Sequence, residues 1–246
     1  MGALIGADFL PTYFCGRWVW FDVQDWPGIF LEYEPYIAKA LKSELLPGSI
    51  FFDIGAHFGR WSLFAANVVG SHGTVFAFEP SAAFSTLERN TLRNSRISLR
   101  RAALGDRDAQ ATFFGQGSTT TGSFVESVTE MNVRFNPGVP VTTYDVQMRT
   151  LDNITRELEL EPRVIKVDVE GYELRVLQGA RETISRSYPT WIIEIHPPQL
   201  RLSGGGDDQV IQFLESYGYS LKVLDRNANS LYTVLATHGR CGPASA

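Results

Sequence analysis

The chain has 246 residues, of which 44% are apolar and 20% are charged, and its formal net charge is −5. This composition is typical of a globular domain with a full core and excludes an intrinsically disordered chain. Because the charge is negative and Lys and Arg form no cluster, it also argues against a nucleic acid or an anionic membrane as the partner.

The sequence predicts a cytoplasmic protein. No apolar run approaches the roughly 20 residues that a membrane-spanning helix needs. The first residues, Met1–Leu10, lack the basic region that begins a signal peptide. The two cysteines, Cys15 and Cys241, form no disulfide framework and no zinc-site pattern. A reducing compartment fits this cysteine usage, and the oligomeric state stays open.

Residues 1–48 are predicted to form a cap on the main domain. Tyr13–Cys15 and Trp18–Phe21 are aromatic, strand-like segments around a Gly16-Arg17 turn, which predicts a β-hairpin. A helix is predicted from about Glu34 to Leu45, and Pro47-Gly48 ends it. The aromatic side chains of the hairpin are predicted to pack, with contact to a substrate as the alternative.

Residues 49–246 are predicted to form one α/β domain, because short apolar runs alternate with helical stretches. This alternation predicts a mostly parallel sheet with helices on both faces and an antiparallel pair at one edge. The predicted strands are Ile50–Ile54, Thr74–Phe78, Ile97–Arg101, Val164–Val167, Trp191–Ile195, Ser220–Leu224 and Leu231–Ala236. The predicted helices are His57–Val69, Ala82–Arg93, Tyr172–Ser185 and Asp207–Tyr217.

The alternation breaks between residues 115 and 141. A polar run, Gly117–Ser123, lies there between two strand-like pieces, Ala111–Phe114 and Val141–Met148. A loop of this length inside a compact domain is usually either a functional lid or disordered. We predict a mobile lid over the active site.

The segment Asp53-Ile54-Gly55-Ala56-His57-Phe58-Gly59 ends a predicted strand and begins a helix. In an open α/β sheet, ligands bind beyond the carboxyl ends of the strands. A dinucleotide fingerprint needs a glycine where this chain has His57, so a pyrophosphate is disfavoured. S-adenosylmethionine carries no phosphate. We predict that Asp53 receives its ammonium, directly or through water. Gly55 and Gly59 are predicted to let its amino-acid tail lie against the backbone, and His57 is predicted to touch this tail.

Glu79-Pro80 follows the second strand of the domain, about 20 residues beyond the glycine turn. A carboxylate at this place has two acceptor oxygens that suit the two ribose hydroxyls, and it repels a 2′-phosphate. The alternative for Glu79 is an acid at the N-terminus of the next helix, where the helix dipole favours it. Together with the glycine turn, this acid favours S-adenosylmethionine over a nicotinamide cofactor.

The order of these motifs resembles that of FkbM-type methyltransferases over about residues 50 to 200. The most specific part is the K-x-D-x-E-G-x-E pattern, and nothing comparable covers the first 48 residues. The motifs are Asp53–Gly59, Glu79-Pro80, Ala103-Leu104-Gly105-Asp106, Leu151-Asp152-Asn153-Ile154, Ile165–Glu173 and Leu177-Gln178-Gly179-Ala180.

The resemblance implies a class I methyltransferase fold, which is Rossmann-like, with S-adenosylmethionine as the cofactor. It also implies O-methylation of a small-molecule hydroxyl on a sugar, a glycolipid or a polyketide-type natural product. The backbone around Ala103 and Leu104 is implied to contact the adenine.

Lys166, Asp168 and Glu170 alternate at the end of the fourth strand, so their side chains share one face. Methyl transfer to a hydroxyl needs alignment of the reacting atoms and removal of the hydroxyl proton. Asp168 is predicted as the general base, with a helix N-cap as the alternative. Lys166 is predicted to pair with Asp168 or to orient the acceptor, with a structural ion pair as the alternative.

Glu194 and His196 share a face at the end of the fifth strand, beside the same crevice. The imidazole of His196 is a second candidate base, with a structural hydrogen bond as the alternative. Asp168, Glu194 and His196 together form an alternative ligand set for Mg²⁺ or another divalent ion.

Two other function classes stay open beside the methyltransferase. The first is a nicotinamide-dependent, Rossmann-type oxidoreductase, which His57 in the glycine turn disfavours. The second is a non-catalytic scaffold or binding protein, which a fold alone does not exclude. A scaffold has no need of several polar groups at one sheet edge, so the polar cluster disfavours it.

Overall fold

The computed structural model describes residues 9–14, 17–22, 34–116, 122–133, 138, 140–226 and 231–240. Cys15, Cys241 and residues 117–121, 134–137 and 139 of the predicted lid lie outside these ranges. The described strands are β1 (Phe9–Phe14), β2 (Arg17–Asp22), β3 (Ile50–Ile54), β4 (Thr74–Phe78), β5 (Ile97–Arg100), β6 (Ala103–Leu104), β7 (Ala109–Gly115), β8 (Thr142–Arg149), β9 (Val164–Val167), β10 (Thr190–Ile195), β11 (Ser220–Arg226) and β12 (Tyr232–Thr237).

The described helices are α1 (Pro35–Glu44), α2 (Arg60–Val68), α3 (Phe84–Thr91), α4 (Glu126–Asn132), α5 (Leu151–Glu157), α6 (Glu173–Gln178), α7 (Arg181–Ser187), α8 (Pro197–Leu202) and α9 (Asp207–Ser216). None of the helices in these ranges has both the length and the apolar character needed to cross a bilayer.

A seven-stranded sheet with the order β11-β12-β10-β9-β3-β4-β5 forms the centre of the molecule. Strands β10, β9, β3, β4 and β5 are parallel, and β12 runs antiparallel to β10 and β11. This confirms the predicted mostly parallel sheet with an antiparallel edge. The strand order reverses between β3 and β9, and at such a point the carboxyl ends of the two strands border a ligand-binding crevice.

Both faces of the sheet are buried. Successive side chains of a strand point to opposite faces, so neighbouring residues pack in different layers. On one face, Phe51 packs in a cluster with residues of α1 and α2, and on the other Phe52 packs with residues of α6, α7 and α9. Burial of one such side chain contributes about 1.5–3 kcal/mol. Helix α1, which the sequence places in the cap, buries Ile37 and Leu41 in this layer and is integral to it.

The helix predicted over Tyr172–Ser185 is interrupted, so α6 and α7 are separate helices. A Cβ atom at Gly179, between them, would lie 2.0 Å from the carbonyl oxygen of Gly105. This close approach of two backbones explains the interruption, which helical periodicity does not reveal. The prediction also missed α5, whose N-cap Thr150 accepts a hydrogen bond from Asn153 N, and α8, which begins with two prolines.

The stretch from residue 115 to residue 141 is not a structureless loop where it is described. Helix α4 lies within it, Val128 is fully buried, and Thr129 Oγ1 donates to the carbonyl oxygen of Phe114 at 3.2 Å. The flanking strands β7 and β8 join β6 in a separate three-stranded sheet. The lid function of this stretch stays a prediction.

Strands β1 and β2 pair in antiparallel register, as the sequence predicts for a hairpin. The rings of Tyr13 and Trp18 pack edge to face, with 5.5 Å between their centroids. The exposed fraction is nevertheless 62% for Tyr13 and 68% for Trp18. These two aromatic residues therefore pack on each other and not in the core, and the role of the other hairpin aromatics stays a prediction.

Candidate active site

The loop after β3 presses against the end of β9. Gly55 has φ +81°, and a Cβ atom there would lie 1.8 Å from the carbonyl oxygen of Asp168. The backbone N–H of Asp168 donates to the carbonyl oxygen of Ile54 at 3.0 Å. A glycine is therefore required at position 55, both for its conformation and for the space.

Alternate residues of the turn that begins at Gly55 have a left-handed backbone conformation. His57 has φ +49° and Gly59 has φ +86°, and the helix begins only at Arg60, so the predicted helix start at His57 is wrong. Non-glycine residues rarely adopt a positive φ, and such strain is frequent at functional sites. The ring of His57 packs on the ring of Phe58, with 3.5 Å between the ring centroids.

Glu79 is buried and ties this turn to the end of β4. Its Oε2 accepts from His57 N and its Oε1 from Ser81 N, each at 2.8 Å. Burial raises the pKa of Glu79, against the effect of these hydrogen bonds. Helix α3 begins at Phe84, so Glu79 lies outside its first turn and the helix-dipole alternative is wrong. Each carboxylate oxygen retains a further lone pair for a ligand.

Asp53 is 1% exposed at the carboxyl end of β3. Its Oδ2 accepts a hydrogen bond from Ser62 Oγ at 2.5 Å, and its Oδ1 has no partner in the part of the chain that the structure describes. Burial raises the pKa of Asp53, and the charge of Lys166 opposes this. Because a buried acceptor without a donor costs about 1–3 kcal/mol, Oδ1 fits the ammonium of the amino-acid tail that the sequence predicts there.

Lys166 and Asp168 form an ion pair on β9 and just beyond it. Lys166 Nζ lies 3.0 Å from Asp168 Oδ2, and the lysine side chain is 2% exposed. Burial acts to lower the pKa of Lys166, but the charges of Asp168 and Asp53 outweigh it and raise the pKa. Burial likewise acts to raise the pKa of Asp168, but Lys166 and His196 hold it below the usual range.

Asp168 does not cap a helix. Helix α6 has Tyr172 as its N-cap residue, without a capping side chain, so the capping alternative for Asp168 is wrong. Its side chain is 30% exposed, which leaves it accessible from the crevice.

His196 is buried at the end of β10 among carboxylates. Its Nδ1 donates to Glu173 Oε1 at 2.7 Å. Burial acts to lower its pKa, but Glu170 and Glu173 outweigh this and raise the pKa well above the usual value. The Nε2 atom lies 3.8 Å from Asp168 Oδ1, 3.8 Å from Glu170 Oε1 and 4.0 Å from Glu194 Oε1.

The predicted metal-binding set finds no support in this geometry. Within residues 34–116, 122–133, 140–226 and the other described ranges, no three His, Cys, Asp or Glu side chains are arranged to hold a metal ion. His196 approaches Asp168 and Glu194 only to 3.8 and 4.0 Å.

Sequence reasoning missed Glu173 as a site residue. It is fully buried, and its Oε1 accepts hydrogen bonds from Gly171 N and His196 Nδ1. Glu173 is the last acid of the K-x-D-x-E-G-x-E pattern, so the pattern contains it. Its contact with a histidine 23 residues away is visible only in the fold.

Sequence reasoning also missed residues from the N-terminal segment. Arg60 Nη2 lies 2.5 Å from Glu34 Oε2, and Tyr36 OH donates to Glu34 Oε1 at 3.0 Å. The charge of Arg60 helps to lower the pKa of Asp168, and that of Glu34 helps to raise the pKa of Glu194. Residues immediately before and within α1 therefore border the same charge cluster, and no sequence motif indicates this.

Ala103 and Leu104 are buried in β6, just beyond the carboxyl end of β5. They pair with Met148 and Arg149 of β8. They come directly after β5, which is the edge strand of the parallel part of the sheet. They therefore lie on the side of the sheet where the carboxyl ends of the parallel strands are found. The implied adenine contact stays a prediction.

Comparison with known proteins identifies relatives of this chain. The model of the Methyltransferase FkbM domain matches residues 53–221. "Methyltransferase 1" of Beauveria bassiana (strain ARSEF 2860) is 31% identical over 165 residues, which cover 61% of this chain and 66% of that protein. "31-O-demethyl-FK506 methyltransferase FkbM" of Streptomyces tacrolimicus is 25% identical over 202 residues, 72% of this chain and 75% of that protein.

The crystal structure of a methyltransferase FkbM from Methylobacillus flagellatus KT has the same fold. The TM-score is 0.53 at 22% sequence identity. The aligned part covers 80% of this chain but 48% of that one, so the chain spans about half the length of this structural relative.

Proposed function

The chain belongs to the FkbM methyltransferase family, and on this premise we propose that it transfers the methyl group of S-adenosylmethionine to a hydroxyl group of a small molecule. The observation that carries the proposal is the unpartnered Oδ1 of buried Asp53, at the point where the strand order reverses. It lies beside the Lys166–Asp168 pair, so a cation-binding acid and a candidate base share one crevice.

The chain's own residues fit this cofactor. S-adenosylmethionine supplies an activated methyl group when bound. Asp53 Oδ1 would accept a hydrogen bond from the ammonium of the tail, directly or through water, and Gly55 and Gly59 would allow the tail to lie along the turn beside His57. Glu79, followed by Pro80, uses its remaining lone pairs for the ribose hydroxyls. The backbone of Ala103 and Leu104 borders the adenine.

The acceptor side of the crevice carries Lys166, Asp168, Glu194 and His196. Exposed carboxylate oxygens accept hydrogen bonds and so orient a hydroxyl, and alignment of this kind contributes on the order of 7–11 kcal/mol to a displacement reaction. The relative from S. tacrolimicus is named for a 31-O-demethyl compound, which supports an oxygen as the methyl acceptor. A sugar, a glycolipid or a polyketide-type natural product presents such a hydroxyl.

S-adenosylhomocysteine is expected to stabilise the protein, and NAD is not. A ligand at 100 times its Kd stabilises by about 2.7 kcal/mol, which for a chain of this size raises the Tm by roughly 5–11 °C. Thermal unfolding with each ligand measures the difference. A shift with NAD alone would instead favour the oxidoreductase.

Asp168→Ala is expected to reduce turnover by about 100-fold or more, because this carboxylate orients the acceptor hydroxyl and misplacement of a reacting group costs on the order of 10²-fold. Binding of S-adenosylhomocysteine should change little, because Asp53 and Glu79 are retained. The measurement is transfer of labelled methyl to hydroxyl acceptors, with Asp225→Ala on the exposed edge strand β11 as the matched control. Full turnover in Asp168→Ala would remove Asp168 from the chemistry and leave the scaffold alternative standing.

A further inference from the structure

A hydroxyl acceptor must lose its proton as its oxygen bonds to the methyl carbon. We propose that Glu170 is the catalytic residue whose carboxylate takes this proton, with Asp168 orienting the hydroxyl beside it. This inference rests on the proposed function and names the base within the same site. Sequence reasoning assigned the base to Asp168 or His196, and it placed Glu170 on the same strand face with helix capping as its only role.

The two bases nominated from the sequence are both engaged. Asp168 holds Lys166 Nζ at 3.0 Å through Oδ2, and an ion-paired carboxylate with a lowered pKa is a weak base. His196 donates from Nδ1 to buried Glu173 at 2.7 Å, and its carboxylate neighbours favour the protonated imidazolium. An imidazolium has no lone pair with which to take a further proton.

The carboxylate of Glu170 has one oxygen held and one directed toward the cluster. Gln199 Nε2 donates to Oε2 at 3.3 Å. Oε1 lies 3.8 Å from His196 Nε2, beyond direct hydrogen-bond distance, and 20% of the side chain is exposed. Oε1 is therefore not bonded directly to His196, and the exposed part of the side chain makes the carboxylate accessible to a ligand.

The backbone at Glu170 is strained, and its surroundings enforce the strain. Glu170 has φ +50° and Gly171 has φ +95°, so two successive residues are left-handed. Glu173 Oε1 accepts from Gly171 N at 2.9 Å, and a Cβ atom at position 171 would lie 2.5 Å from Gln199 Cβ. Glycine adopts this backbone conformation with less strain than glutamate does. A glutamate at this position therefore indicates a role for its side chain.

The electrostatics agree with this geometry. Burial raises the pKa of Glu170 to about 7, against the charge of His196, while Asp168 and Glu173 add to the rise and the hydrogen bond from Gln199 opposes it. A carboxyl that is half ionised near neutral pH can both take and release a proton. Burial and the charge of Asp168 also raise the pKa of Glu194 well above its usual value.

The step conserves atoms and charge. The O–H bond of the acceptor breaks and its proton passes to Glu170 Oε1. The oxygen lone pair forms the new bond to the methyl carbon. The carbon–sulfur bond breaks, and its electron pair stays on the sulfur, which leaves as a neutral thioether. Glu170 then returns its proton to water through its exposed side.

The first test compares Glu170→Gln and Glu170→Gly with the wild type. We expect turnover to fall by at least about 100-fold in both variants, with unchanged affinity for S-adenosylhomocysteine. Glu170→Gly should also keep or raise the Tm, because glycine relieves the left-handed strain. Glu159→Gly is the matched control, since Glu159 is exposed, lies just beyond α5 and has φ +53°. It should relieve strain without loss of turnover.

The second test needs no acceptor. In the protein saturated with S-adenosylhomocysteine and labelled with ¹³C at glutamate side-chain carboxyls, the signal lost in Glu170→Gln should titrate near pH 7. Turnover of Glu170→Gln within a few-fold of wild type, or a Glu170 signal that titrates below pH 5, would overturn the assignment. Failure of the wild type to bind S-adenosylhomocysteine would overturn the proposed function instead, so the two failures are distinguishable.

Discussion

Gly55→Ala is expected to abolish cofactor binding and to destabilise the protein. The new Cβ atom would lie 1.8 Å from the carbonyl oxygen of Asp168, which is backbone and cannot rotate away. The left-handed φ of +81° adds about 1–2 kcal/mol for a residue with a side chain, and overpacking adds about 1–3 kcal/mol or more. Because the loop after β3 must move, we expect affinity for S-adenosylhomocysteine to fall by more than about 100-fold, equivalent to at least about 2.8 kcal/mol.

Gly48→Ala separates the two causes. Gly48 has φ +85°, but a Cβ atom there would have no atom within 4 Å. This control therefore carries only the conformational cost of about 1–2 kcal/mol and should bind the ligand normally. Urea unfolding and calorimetric titration measure both variants. If Gly55→Ala bound S-adenosylhomocysteine as tightly as Gly48→Ala, the close packing of the glycine turn against Asp168 would not matter for the cofactor site.

Lys166→Met is expected to lower the free energy of unfolding by about 3–5 kcal/mol, the usual cost of removing one partner of a buried ion pair. Lys166 is 2% exposed and its charge acts on Asp168 and on fully buried Asp53. Methionine keeps most of the side-chain volume, so loss of charge dominates over loss of packing. Turnover of the variant should also fall, because Lys166 positions Asp168.

The loss of stability in Lys166→Met should grow as the pH rises above the unfolded carboxyl pKa of about 3.9. Without the lysine, the pKa of Asp53, which burial already raises above the unfolded value of about 3.9, rises further, and the lowered pKa of Asp168 rises as well. A group with a raised folded pKa loses its contribution to stability as the pH rises through that range. In the wild type, Asp168 has a lowered pKa and contributes its stability above the unfolded value.

Two controls accompany this measurement. Lys39→Met on the exposed face of α1 should change stability by less than about 0.5 kcal/mol. Adding Asp168→Asn to Lys166→Met should recover part of the loss, because one unpaired charge is removed. A pH-independent deficit, or no recovery in the double variant, would show that Lys166 contributes through packing and not through its charge.

The sequence by itself determined the α/β fold and the location of the site. Periodicity is a local property of the chain, so the buried runs of β3, β4, β9 and β10 and the antiparallel pair at the C-terminus could be read directly. The glycine turn after Asp53 was readable for the same reason, since left-handed residues are confined to a few amino acid types. The order of the glycine turn, Glu79 and the K-x-D-x-E-G-x-E pattern along the chain indicated the family.

The details of the helices were less readable. The break at Gly179 depends on the carbonyl of Gly105, 74 positions earlier in the chain, and helix α4 inside the predicted loop depends on burial of Val128. Neither contact leaves a periodic signal in its own segment. Tertiary contacts override local propensity at such places.

The roles within the site were decided only by the tertiary structure. The contact of Glu173 with His196, the approach of Glu34 to Arg60 and the packing of Gly55 on Asp168 each join residues from separate elements. Protonation depends on burial and on the charges nearby, which are sums over the folded surroundings and not properties of a residue type. The sequence therefore supplied the acids and the histidine, and the fold determined which of them lie together, which are buried and which are partly exposed.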